Sequence, residues 1–173
     1  QAQENLLPIL KTEVKNGKLE IYFKENVSNC KDLVVRVAAP SYDALELGGS
    51  GRLEALDDLR GDQLELSLAG SGNIVLSGAE VNQMNCAIAG SGDIRVAGRA
   101  TDITFDISGS GDIDAKEMTA EHARAQISGS GTVRCHANQS LKAGVSGSGD
   151  IYYSGGASVD SDVSGSGKVK RVK

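Results

Sequence analysis

The sequence predicts an all-β chain, a parallel β-helix (β-solenoid) of about seven coils turned at Gly-Ser-Gly corners. Three observations predict it. The tripeptide Gly-Ser-Gly occurs seven times, with its glycines at Gly49 and Gly51, Gly70 and Gly72, Gly90 and Gly92, Gly109 and Gly111, Gly129 and Gly131, Gly147 and Gly149, and Gly165 and Gly167. Successive copies start 21, 20, 19, 20, 18 and 18 residues apart, a near-constant period that marks stacked repeats. Each copy also sits in one apolar frame. Two residues before it stand Leu47, Leu68, Ile88, Ile107, Ile127, Val145 and Val163; two residues after it stand Leu53, Ile74, Ile94, Ile113, Val133, Ile151 and Val169. Alternation then continues outward, through Leu64 and Leu66, Met84 and Cys86, or Ile103 and Phe105 upstream, and through Leu76, Val96, Ala115 or Cys135 downstream. Period two means strands with one buried face. One unit cannot bury that face alone, so equivalent strands stack in the same direction, giving parallel sheets. At ~4.8 Å per coil, the corners span on the order of 30 Å.

The elements follow in order. Residues 1–10 read as an irregular lead into a strand. Asn16-Gly17 separates two alternating runs and predicts a tight hairpin, since both turn residues need positive φ. Glu25 to Asp32 reads as a polar loop, and Leu33 to Val37 as a further strand stopped by Pro40. Residues 1–47 therefore form a hairpin and capping strands that hide an open sheet edge. Residues 48–173 form the repeat, and the whole is one continuous domain. Tyr42 to Leu47 is the first strand to feed a corner. Each coil then needs a second corner. Gly78, Gly98 and Gly155 share one offset after the triplet, whereas Glu117 and Ala137 hold that place in other coils. Coil lengths vary there, and the first coil carries a polar insert from Asp57 to Asp62. Met118 to Arg124 has a helical composition, but the repeat frame places it in a strand.

Composition excludes several classes of function. The formal charge is −5, which gives no electrostatic reason to expect nucleic acid or an anionic membrane surface. No apolar run approaches the ~18 residues of a spanning helix. The chain starts at Gln1 without an apolar signal-like stretch, so any export signal is already removed or never existed. Aromatic content is 3%, with no Trp, so the core is built from aliphatic ladders. Cys86 and Cys135 fall at inward positions on strands about two coils apart, too far for a bridge; Cys30 lies outside the repeat.

Chemistry is sparse. Asn73, Asp93, Asp112 and Asp150 follow the triplet in four coils, but Arg52, Thr132 and Lys168 hold the place in the others. That mixture does not build a calcium ladder, and turn hydrogen bonding explains the acids better. No metal and no cofactor are expected. Glu54, Val75, Arg95, Asp114, Arg134, Tyr152 and Lys170 face outward, with Arg95, Asp114 and Arg134 neighbours of alternating sign. Tyr152, Arg95, Asp114 and Arg134 are the candidate ligand contacts, Tyr152 as the clearest outward aromatic, with Tyr22 and Tyr42 behind it. Asp112 and Asp114 are expected on different sides of the strand and so make a poor catalytic pair. His122 and His136 have no nucleophile at a recognisable spacing, and alternation separates Cys135 from His136, which excludes a shared metal. The corner serines are expected to bond to one another along the stack. Four basic residues among Lys168 to Lys173 are expected to blunt an exposed strand end.

The hairpin-bearing start, the run Leu33 to Pro40 and the serial Gly-Ser-Gly-Asp-Ile frame resemble the putative auto-transporter adhesin, head GIN domain family, over nearly the whole chain from about Leu10. The resemblance implies a right-handed β-helix and an exported protein of Bacteroidetes type, often a lipoprotein, at the cell surface, outer membrane or periplasm. It carries no catalytic residues over. Three functions stay open: a non-catalytic module whose ligand is a glycan or a protein, a β-helix carbohydrate-active enzyme, and a purely structural assembly unit.

Overall fold

Alternating side chains become strands only when a neighbouring backbone completes the ladder, and the computed structural model supplies that ladder for nearly every stretch the alternation marks. It describes residues 8–25, 27 and 33–173. Two compact units divide the chain, Gln1–Ala39 and Pro40–Lys173.

In the first unit, β1 (Leu10–Lys15) and β2 (Lys18–Phe23) pair antiparallel from Leu10↔Phe23 to Lys15↔Lys18. Asn16 and Gly17 have φ of 52° and 79°, so the tight hairpin is as predicted. Leu33 to Val37 is not a strand: alternation supplies a face, but among the described residues no sheet takes this stretch in. Cys30 and most of the loop from Glu25 to Asp32 lie outside the described residues.

The second unit is a parallel β-solenoid of about seven turns, without a helix among the described residues. Its strands are β3 (Ala44–Gly49), β4 (Arg52–Ala55), β5 (Leu59–Gly70), β6 (Asn73–Gly90), β7 (Asp93–Gly109), β8 (Asp112–Gly129), β9 (Thr132–Gly147), β10 (Asp150–Ser154), β11 (Ser158–Gly165) and β12 (Lys168–Arg171). Every pairing is parallel. The registers Gly49↔Gly70, Gly70↔Gly90, Gly90↔Gly109, Gly109↔Gly129, Gly129↔Gly147 and Gly147↔Gly165 line the corners up. The helical composition of Met118 to Arg124 is overridden as expected, since the stretch lies inside β8 with Met118 and Ala120 buried.

Strands end on the first glycine of each triplet and restart after the second. The serine N–H donates to the first glycine's carbonyl one coil back, at 2.9–3.0 Å. These main-chain bonds carry the corner stack. Among the described residues no hydroxyl bond links one corner serine to the next; their side chains point to water, so that expectation is corrected. The second corner is a bend within long strands rather than a break. Register shifts fall there, between Leu76 and Ala79, between Arg95 and Ala97, and on both sides of Thr119–Ala120. They absorb the unequal coil lengths. Gly98 consequently stacks on Ala79 and Met118, not on Gly78, despite the shared offset. In the first coil only Leu56–Asp58 interrupts the strands, and Leu59–Asp62 already belongs to β5.

Inside the coils the flanking aliphatics form continuous columns. Ile74, Ile94, Ile113, Val133 and Ile151 are at most 1% exposed, and Leu68, Ile88, Ile107, Ile127 and Val145 at most 3%. Each such side chain contributes roughly 1.5–3 kcal/mol on burial. No polar or charged residue is buried among the described residues. In the coil of β11 and β12, Val163 is 39% exposed.

Candidate functional site

With an interior purely apolar, any chemistry must lie on the outer faces. The post-corner strands carry the register Val75↔Arg95↔Asp114↔Arg134↔Tyr152↔Lys170, so the four candidate contacts form one column. Asp114 is its acidic centre: Oδ2 lies 3.8 Å from both Arg95 Nε and Lys116 Nζ. Arg134 lies over the Tyr152 ring at 5.8 Å from its centroid, and Lys168 Nζ at 5.9 Å. The two cations come from β9 and β12, which pair with β10 on opposite sides. The Tyr152 hydroxyl donates to Asp150 Oδ2 at 3.0 Å, and Lys168 Nζ reaches the same oxygen at 3.1 Å. Partial desolvation pushes the Asp150 carboxyl up, but the hydrogen bonds from Lys168 and Tyr152 outweigh it and hold the group below the usual carboxylate range. The same hydrogen bond raises Lys168.

Asp112 and Asp114 flank inward Ile113 and so share the outward side, which corrects the expectation that they diverge. They still make no acid–base pair. Asp112 Oδ1 accepts the Thr132 N–H of the next coil at 2.8 Å, while Asp114 is taken up by its lysine and arginine. The post-corner acid thus bonds between coils rather than within its own turn. Among the described residues no group of three or more His, Cys, Asp or Glu side chains could hold a metal ion. Cys86 and Cys135 are free and buried, and burial raises both thiols to about 12.

Two hydrogen-bonded pairs escaped the sequence reading. His122 Nδ1 lies 2.8 Å from Ser140 Oγ, and His136 Nδ1 lies 2.9 Å from Ser154 Oγ. His136 Nε2 lies 3.2 Å from Asn138 Oδ1, which completes a Ser–His–Asn chain. The signal was present: each serine has the same offset from its nearest corner as the histidine one coil earlier. The connectivity is that of a nucleophile, base and orienting group. Yet His-over-Ser pairing occurs twice, on different faces, wherever register places the two residues together. That makes it a ladder contact of the solenoid.

Two open depressions lie on the second unit. One, about 690 Å³, is lined by His136, Ser154, Gly155, Arg171, Val172 and Lys173. The other, about 450 Å³, is lined mainly by Asp43, Asp62, Gln63, Glu65, Gln83 and Asn85. The basic run from Lys168 thus does more than border an edge: Arg171 Nη2 donates to Gly155 O at 2.6 Å and closes one side of the first depression.

The family model described as putative auto-transporter adhesin, head GIN domain, matches residues 1–157. Three solved structures are similar over almost the whole chain. A putative adhesin from Bacteroides fragilis is 25% identical with a TM-score of 0.93, covering 98% of this chain and 79% of its own. A putative lipid binding protein from Parabacteroides distasonis is 31% identical with a TM-score of 0.80, covering 99% and 82%. A putative adhesin from Parabacteroides merdae is 26% identical with a TM-score of 0.79, covering 99% and 81%. No functionally curated protein matches the chain. Among the described residues no helix is long and apolar enough to cross a membrane.

Proposed function

Because the chain belongs to the putative auto-transporter adhesin, head GIN domain family, we propose that it is a non-catalytic binding module. It is exported, and it acts at the cell surface, the outer membrane or the periplasm, where it recognises a glycan or a protein. The observation that carries this reading is the outward column Arg95–Asp114–Arg134–Tyr152 on a rigid stack. Its charged and aromatic groups are held at fixed spacing by the ladder below them. Such a surface is organised before a ligand arrives, so binding loses little ordering entropy. The names given to the similar proteins from Bacteroides and Parabacteroides favour adhesion over catalysis. The Ser–His pairs recur wherever the register stacks the two residues, which favours a structural role for them over a catalytic one.

The test is a glycan and host-protein array, run beside a depolymerisation screen on acidic and neutral polysaccharides. Lipid vesicles belong in the same panel, given the name of the 31% identical relative. The expected result is a saturable ligand with no turnover, weakened by Tyr152→Ala together with Arg134→Ala. Polysaccharide cleavage abolished by Asp112→Asn, Asp93→Asn or Ser154→Ala would replace the binding reading with an enzymatic one. Concentration-dependent oligomers with no ligand would instead favour an assembly unit.

A further inference from the structure

We propose that the depression between His136 and Lys173, where the pairing of Arg134 with Tyr152 runs on to His136 with Ser154, forms part of the ligand site of this module, and that it takes an acidic saccharide, one bearing a carboxylate or sulfate. This rests on the binding-module reading and names its ligand class. The charge pattern points to an anion. The protein carries −5 overall, yet Lys168–Lys173 holds four cations and no acid. Of these, the side chains of Arg171 and Lys173 line the depression, and no Asp or Glu side chain does. Asp150, the nearby acid, is taken up by Lys168 and Tyr152. Arg171 is pre-positioned: Nη2 donates to Gly155 O at 2.6 Å, which leaves its other N–H groups to fork onto an anionic oxygen pair.

The neutral groups in the depression suit hydroxyl-rich ligands. In the tautomer in which His136 Nε2–H donates to Asn138 Oδ1, Nδ1 accepts from the Ser154 hydroxyl. The Ser154 lone pairs are then free to accept from a sugar hydroxyl. Gly155, between β10 and β11, also lines the depression, and among the described residues its N–H donates to none of the main-chain acceptors outside the strands. The depression thus supplies cations, donors and one oriented acceptor. Its volume of about 690 Å³ falls within the size range of small-ligand sites.

The same geometry disfavours the competing ligands. Neutral sugars commonly stack on an exposed aromatic face, and no Tyr or Phe lines the depression. A protein partner needs a desolvated apolar or aromatic anchor, and only Val172 is available here.

The experiment is calorimetric titration of the purified chain with three probes: a galacturonic acid trisaccharide, a chondroitin sulfate tetrasaccharide and neutral maltotriose. The pocket variant is Arg171→Gln with Lys173→Gln. The control is Arg124→Gln with Lys142→Gln, an outward pair in register on β8 and β9 that removes the same charge elsewhere. Circular dichroism melts confirm that both variants fold. The expected result is binding of one or both acidic probes and none of maltotriose. Affinity should fall about 10- to 100-fold in the pocket variant and stay within about 2-fold in the control. Equal loss in both variants would mean diffuse electrostatics and overturn the site. Equal binding by wild type and pocket variant, preference for maltotriose, or binding only to anionic phospholipid vesicles would overturn it too. If acidic probes fail while the array returns another glycan or a protein, this inference falls and the binding-module reading stands.

Discussion

The two glycines of each triplet do different work, although the sequence writes them alike. Gly129 has φ of 135°, and a Cβ placed there would lie 2.1 Å from Gly109 O. Gly131 lacks positive φ, but its Cβ would also lie 2.1 Å from the carbonyl of the coil beneath, Gly111 O. The first glycine is needed for the turn, and both are needed for the close approach of coil to coil. The pattern made only the first requirement legible, because the second depends on a neighbour about 20 residues away. The contrast with the first coil is testable. At Gly51 a Cβ would meet only Leu47 Cδ1 at 3.5 Å, an ordinary contact. Gly131→Ala should therefore cost on the order of 3 kcal/mol or more and Gly51→Ala less than about 0.5 kcal/mol, read by urea denaturation. Equal costs would mean that the coils are not stacked as described. The cysteines give a second test at this scale. Their thiols, raised to about 12 by burial, should resist iodoacetamide at pH 8 in the native protein and react once it is unfolded. Peptide mapping that finds native alkylation at Cys86 or Cys135 would contradict their inward placement.

Strands in this fold are held by what lies above and below them, so a substitution costs most in the middle of the stack. Ile113 on β8 is fully buried between Ile94 and Val133. Ile113→Asp should unfold the central coils, since an unpaired buried carboxylate costs several kcal/mol, and a wild-type melting curve would rule out the inward assignment. Val163→Ala in the last coil, at a position 39% exposed, should cost under about 1 kcal/mol. The Asp150–Lys168 pair ties β10 to β12 and adds a small pH-dependent contribution. Asp150 is lowered on folding, so its share is present above the usual carboxylate range and lost as pH falls. Lys168 is raised, so its share is lost only as pH rises through the raised lysine value. The side chains are 25% and 57% exposed, so Asp150→Asn should cost no more than about 1 kcal/mol at neutral pH and flatten the acid limb of the stability profile. Strand identity and face were legible throughout the repeat because alternation and corner offset agree there. Two things were not. Leu33 to Val37 alternates, but alternation does not reveal whether a sheet will take a segment in. Partners across the second corner were also hidden, because bulges shift the register by amounts that equal offsets do not record, as Gly98 on Ala79 illustrates.

As a whole, the second unit is a stack with an apolar interior, main-chain ladders at its corners and all polar variation outside. Its charge is distributed along the stack. The first coils carry Asp43, Glu46, Glu54, Asp57, Asp58, Asp62 and Glu65 against Arg52 and Arg60, whereas the last carries Lys168, Lys170, Arg171 and Lys173 against Asp160 and Asp162. The sequence made the candidate column legible, since Arg95, Asp114, Arg134 and Tyr152 share one offset and stand in one register. The depression was less so, because Gly155 and Arg171 meet through a contact that no repeat frame encodes. The outward column and the depression both require the corners to lie in line, one coil apart, and electron spin distances test that directly. Nitroxide labels would be placed on cysteines at Ser50 and, in turn, at Ser130, Ser148 and Ser166, all exposed, with Cys30 replaced by serine. The stack predicts separations of about 19, 24 and 29 Å, rising by ~4.8 Å with each added coil. Separations that fail to rise by that step, or that scatter without order, would contradict it.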